Sequence, residues 1–216
     1  MVLGAILSVV GPPGAVADLK ATLSISNETF ADADITNAIN AASRAIDGFC
    51  HRRFYADADA AQVRHYSPLD KKLLSVDDLI TLTSLKTDPG GDGTFEETWT
   101  LNTDFTLQPL NRELIDATNR RPWTLIEVHP RGSFYFPTIY PRSVEVTGKF
   151  GWPVIPAVVS SAATLLAHRY LRRMRDAPFG VIGVGFDNTA IRLPKTDPDV
   201  AQMLTLGKVV RVRPVV

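Results

Sequence analysis

Apolar positions recur at three- and four-residue steps along two stretches of the chain. Ile35, Ala38, Ile39, Ala42, Ala45, Ile46, Phe49 and Cys50 form one such stripe, and the spacing predicts an amphipathic helix. Asp32 or Asp34 can cap its start and suits the positive end of the helix dipole. Val158, Val159, Ala162, Ala163, Leu165, Leu166, Tyr170 and Met174 predict a second helix over 156–176. Pro156 fits its first turn, where a missing N–H costs nothing, and Asp176-Ala-Pro-Phe-Gly180 ends it. Shorter helices are read over 15–23 and 198–206.

Between the two long helices the period falls to two. Val63, His65 and Ser67 alternate with Arg64, Tyr66 and Pro68. Leu79–Leu85 alternates Leu/Ile with Thr/Ser, Asp88-Pro-Gly-Gly-Asp-Gly93 supplies turn chemistry, and Phe95–Leu101 resumes the pattern. This predicts a long hairpin with a loose acidic tip. Asp104–Leu110, Trp123–His129 and Arg142–Phe150 predict further strands, the last with Val144 and Val146 on one face. Residues 177–197, punctuated by Gly and Pro, predict a loop.

The expected class is α+β: a small helical bundle of two long helices plus short ones, a β-rich hairpin insertion between them, and an extended C-terminal tail. One domain, 1–216, would hold N-terminal helices over 15–55, the insertion over 60–150, the second long helix over 156–176, and a loop, short helix and tail over 177–216. Two amphipathic helices so far apart in sequence can bury their faces only on each other or on another chain.

The formal charge is zero, from 23 Lys/Arg and 23 Asp/Glu. A chain dedicated to nucleic acid shows a basic excess, which is missing overall. The zero hides a split: residues 1–150 are net −5 and residues 151–216 net +5. That asymmetry points to polar contacts between subunits, or to an acidic partner. The single cysteine, Cys50, excludes an internal disulfide and a multi-cysteine zinc site, and its place on the apolar stripe reads as a buried structural thiol. The apolar start, Met1–Val10, is too short to span a bilayer and lacks a preceding cation, so it reads as a strand or extended arm.

Candidate chemistry is sparse. The histidines, His51, His65, His129 and His168, stand at no metal-pair spacing. Asp88–Gly93 resembles the start of a calcium loop, but Gly90 and Trp99 occupy ligand positions. Gly180–Gly185 lacks the Lys-Ser/Thr of a phosphate loop. Arg169, Arg172 and Arg173 share one helix arc, either as solvated cations near a helix C-terminus or as a patch facing phosphate or carboxylates. In the tail, Val210 and Val212 point one way and Arg211 and Arg213 the other. That is the pattern of an edge strand, within the fold or added to a partner's sheet.

Several segments together resemble the head-to-tail adaptors (connectors) of tailed bacteriophages, in particular those of phages of actinobacteria. They are Val16-Ala-Asp-Leu-Lys20, Ile35–Phe54 with its Gly-Phe-Cys-His-Arg-Arg-Phe ending, Arg121-Pro-Trp123, Val144-Glu-Val-Thr-Gly-Lys-Phe-Gly-Trp-Pro-Val-Ile-Pro156, and Ala162–Gly180. The resemblance implies a structural virion protein at the head–tail interface, present in the host cytoplasm during assembly. It implies a homo-oligomeric ring, typically dodecameric, between the portal protein and the stopper, with phage DNA passing non-specifically through its lumen. Lys208, Val209, Val210, Arg211, Val212 and Arg213 would form a portal-docking strand, and Arg169, Arg172 and Arg173 a lumen or portal contact. No catalytic residue, cofactor, metal or membrane is implied. The rival readings are a nucleic-acid-binding module using the Arg169/Arg172/Arg173 face and a hydrolase built on the scattered histidines.

Overall fold

Helix α1 (Asp32–Cys50) forms where the first apolar stripe predicts it, and Ile35, Ala38, Ile39, Ala42, Ile46 and Cys50 are buried along one face. The computed structural model describes residues 21, 30–112, 120–176, 181–184, 190–192 and 197–211. The helix read over 15–23 lies outside these apart from Ala21, which is helical, and the arm Met1–Val10 lies outside them altogether. The cap of α1 differs from expectation. Ala31 occupies the N-cap position with no side-chain hydrogen bond, and Asp32 and Asp34 sit in the first turn, where they complement the dipole without capping.

Helix α2 (Ala157–Asp176) packs on α1, and α3 (Pro198–Leu206) packs on α2. The buried face of α2 is Val159, Ala162, Leu166, Ala167 and Leu171, while Met174, placed on the stripe by the sequence, is 52% exposed. Leu166 and Ala167 point about 100° apart, so this face is wide; α2 serves two neighbours, which a one-partner stripe does not capture. The expected loop over 177–197 contains a two-stranded hairpin, β7 (Val181–Val184) with β8 (Ala190–Arg192). Glycine within so short a strand erases its pattern.

The other strands form one antiparallel sheet in the order β1 (Gln62–Tyr66), β6 (Val144–Phe150), β2 (Leu73–Thr87), β5 (Trp123–Val128), β4 (Phe105–Gln108), with β3 (Glu97–Thr98) also on β2. The predicted long hairpin is therefore short: β3 meets β2 only at Lys86 and Thr87. Strand β2 spends its first half on β5 and its second on β6, partners remote in sequence. The tip is not loose either. Asp88 is buried, its carboxylate accepting the N–H groups of Gly91 (2.6 Å) and Gly93 (2.7 Å). Burial acts to raise its carboxyl, but the Gly93 and Gly91 N–H groups outweigh that and hold it below the ordinary carboxylate value.

The sheet core runs from Leu74, Val76 and Leu79 through Phe105, Ile126, Val144 and Val146 to Phe150. Trp99 stacks on Phe136 at 4.8 Å and donates Nε1 to Thr87 Oγ1 at 2.8 Å, so its polar edge is satisfied inside the core. Two units result. One is built from the chain up to Arg52 and from Ile155 onward; the other is Arg53–Val154.

Two glycines are dictated by close approach. A Cβ at Gly148 would stand 2.2 Å from the Thr81 carbonyl oxygen, where β2 shifts register against β6. Gly151 has φ +105° and lies against Tyr55, whose oxygen a Cβ would meet at 2.0 Å. Gly148→Ala and Gly151→Ala should each destabilise the sheet unit by about 1–3 kcal/mol. Gly48→Ala, on an open face of α1, should stabilise the helical unit by up to about 1 kcal/mol. Denaturant midpoints of the three variants check these signs.

Candidate interaction surfaces

The arginine cluster on α2 divides into unlike members. Arg169 is spoken for: its guanidinium donates to Asp197 and Asp199 at the start of α3. Asp197 is buried and also caps α3, accepting the Val200 N–H at 3.3 Å. Burial acts to raise the Asp197 carboxyl, but the Arg169 and Val200 hydrogen bonds prevail and hold it below the usual range; the hydrogen bonds to Asp197 and Asp199 in turn raise Arg169. Arg169 thus clips α3 to α2. The sequence pattern could not reveal this, because its partners lie about 30 residues away. Arg172 and Arg175 are exposed, the latter 5.6 Å over the Phe30 ring. Arg173 is partly buried and lines a crevice of about 180 Å³ with Phe49, Tyr170, Val200 and Leu204.

The tail begins inside the fold. Lys208 adopts φ +53°, Val209 is 2% exposed, and the Arg211 N–H donates to the Cys50 carbonyl at 2.9 Å. Val209 and the Arg211 backbone are therefore engaged by their own chain, satisfying the end of α1. Of the expected docking strand, Lys208 is exposed, Val210 and Arg211 are half-buried, and Val212 and Arg213 lie outside the described residues. Cys50 is the buried structural thiol expected, and burial pushes its pKa up to about 11.

A surface that the sequence reading passed over lies in the sheet unit. The segment 133–140, with Lys71, Pro89 and Glu97, lines a groove of about 520 Å³. Its exposed apolar side chains are Tyr135 (55%), Ile139 (83%) and Tyr140 (38%), while Phe136 turns into the core. The signal was present in Phe134-Tyr-Phe-Pro-Thr-Ile-Tyr140, an aromatic run with neither helical nor strand period. The loop from Asp88 to Glu97 borders the groove through Pro89 and Glu97 and carries exposed Asp92 and Glu96.

The histidines stay dispersed. His51 and His168 belong to the helical unit, and His65 and His129 to the sheet unit. His65 Nε2 lies 3.5 Å from Glu145 on the sheet surface, and His129 Nδ1 accepts the Arg131 N–H. Among the described residues no helix is long and apolar enough to cross a membrane.

No family model and no curated protein matches this chain. Solved structures do resemble it. A chain from the neck of an empty GTA (gene transfer agent) particle, computed with C6 symmetry, is 18% identical over 96% of this chain and 96% of its own, with a TM-score of 0.51. A chain from the neck of a native GTA particle, computed with C12 symmetry, is 18% identical over the same shares, with a TM-score of 0.50. At this identity the likeness establishes a shared fold, and the fold runs the length of the chain.

The Asp197 clip has a pH signature. A carboxyl depressed in the folded state stabilises the fold above its unfolded pKa of about 4 and loses that contribution as pH falls through the folded value. Asp197→Ala should cost about 1–2 kcal/mol at neutral pH through the lost cap and the broken ion pair. Its stability should also fall less between pH 5 and 2 than that of the parent, as read by circular dichroism at stepped pH.

Proposed function

We propose that the chain is a structural component of the neck of a tailed, phage-like particle, acting as a ring of identical copies between the head and the tail. The observation that carries this is the fold shared with neck chains of GTA particles over 96% of the sequence. The C12 symmetry of one of those necks and the C6 symmetry of the other accord with a ring of twelve. The surface supports the reading. Exposed apolar side chains gather at a groove, and charge is divided between the two units, features that serve contacts between subunits. In this role the protein is not an enzyme; it positions partners and leaves a passage for DNA. Its place is the virion, with the portal on one side and a stopper or tail component on the other.

The portal contact is assigned to the chain beyond Arg211, since Val209 is buried and the Arg211 N–H bonds the Cys50 carbonyl. Among Arg169, Arg172 and Arg173, Arg172 is the exposed member and is the cation proposed to face DNA or the portal. The stand-alone nucleic-acid module loses ground because Arg169 is committed to α3.

Electron microscopy of the particles should show a closed ring of this chain in the neck; its location elsewhere, or its absence from particles, overturns the proposal. Truncation after Arg211 should leave the melting temperature within about 2 °C and abolish attachment to the portal, as scored by sedimentation of necks with heads. Isolated protein should bind duplex DNA weakly; tight binding with a steep salt slope would favour the nucleic-acid module instead.

A further inference from the structure

A ring made by rotation needs two different patches on each copy, because each subunit gives one face and receives with another. Resting on the ring reading above, we propose that the acid-bordered groove of the sheet unit receives the C-terminal end of α2 from a second copy, with Met174 seated between Tyr135, Ile139 and Tyr140.

Shape and chemistry support the pairing on both sides. The groove offers exposed aromatic and aliphatic side chains around about 520 Å³. Met174 is 52% exposed on a helix whose other large apolar residues are mostly covered. Methionine fills irregular apolar gaps and makes favourable sulfur–aromatic contacts, and two tyrosine rings stand ready.

Charge selects the orientation. Asp92 and Glu96 are exposed on the loop that borders the groove, and Glu97 lines it. From Asp88 to Asp104 the sequence has five acidic residues and no Lys or Arg. Lys71 is the one cation in the groove lining. On the other patch, Arg175 is exposed and lies next to Met174, about 100° around the helix axis. The same split holds for the units as wholes: Arg53–Val154 carries 11 Lys/Arg and 14 Asp/Glu, net −3, so the rest of the chain is net +3. Like patches repel and unlike patches attract, so a head-to-tail contact is favoured over a two-fold one. Aromatic residues, methionine and arginine are also the types that concentrate in interface cores.

Cysteine pairing tests the contact directly. Two full-length variants, Ile139→Cys and Met174→Cys, are mixed, assembled into necks and mildly oxidised. Both positions are exposed, and the native Cys50 is buried with its pKa raised to about 11, so it does not compete. A 139–174 disulfide dimer in the mixture, with no dimer from either variant alone, is expected. Closed rings without that adduct, or with 139–139 or 174–174 adducts, overturn this interface and leave the ring reading standing. Necks that contain no ring of this chain overturn both. In parallel, Glu96→Lys and Arg175→Glu should each weaken ring assembly roughly fivefold, and the two combined in one chain should restore it. Failure of the double variant to recover counts against the pairing.

Discussion

The fold depends on how the sheet unit closes its own ends. The incoming chain at Tyr55–Asp57 and the outgoing chain at Phe150–Trp152 lie side by side: Trp152 N–H donates to the Tyr55 carbonyl at 3.1 Å, and Asp57 N–H to the Phe150 carbonyl at 3.0 Å. Trp152 also lays its ring against Phe54 at 5.1 Å and donates Nε1 to the buried Asp78 at 3.0 Å. The Gly151 N–H bonds the Asp78 carbonyl, so one residue of β2 holds the exit of the unit through both backbone and side chain. A segment of about a hundred residues therefore leaves and returns at one place. That is what allows α1 and α2, separated by the whole sheet, to share a core with Cys50 and Leu171 buried in it.

This constraint explains which parts of the sequence were legible. The two helical stripes follow a local period and form helices where they lie, although Ala45, Phe49 and Met174 on them are exposed. The segment Val144–Pro156 stood out as a motif, and its residues prove to be the closure itself: Gly148 for the close approach of β2, Gly151 for positive φ, Trp152 for Asp78. The start of β2 was missed because Asp77 and Asp78 interrupt its apolar alternation. Their compensation comes from afar: Arg64 binds Asp77 at 2.9 Å, Tyr66 OH adds a 3.2 Å bond, and Trp152 serves Asp78. A charged pair reads as a strand breaker until its partners are known. The long hairpin was overdrawn for the same reason, since adjacency in sequence suggested a pairing that β5 and β6 supply.

The surface residues show a similar division. Arc position on a helix correctly grouped Arg169 with Arg172 and Arg173, but arc says nothing of what approaches from another element. Asp197 claims Arg169, the crevice takes Arg173 partly in, and only Arg172 keeps the exposure that the pattern suggested. The tail behaves likewise. Its alternation suggested an edge strand, within the fold or on a partner, and the Cys50 carbonyl at the end of α1 accepts the Arg211 N–H.

The groove has the opposite character, a feature with no period to reveal it. An exposed cluster of Tyr135, Ile139 and Tyr140 is a liability for any single copy in water. Asp92 and Glu96 beside it act as gatekeepers: a second groove brought face to face would set acid against acid. The same charges that discourage indiscriminate association then favour a basic, methionine-tipped partner. In the proposed ring, one electrostatic arrangement would serve both solubility of the single copy and direction of the assembled one. It also explains why a formally neutral chain keeps its charges segregated, since even mixing would leave the apolar groove with neither protection nor preference.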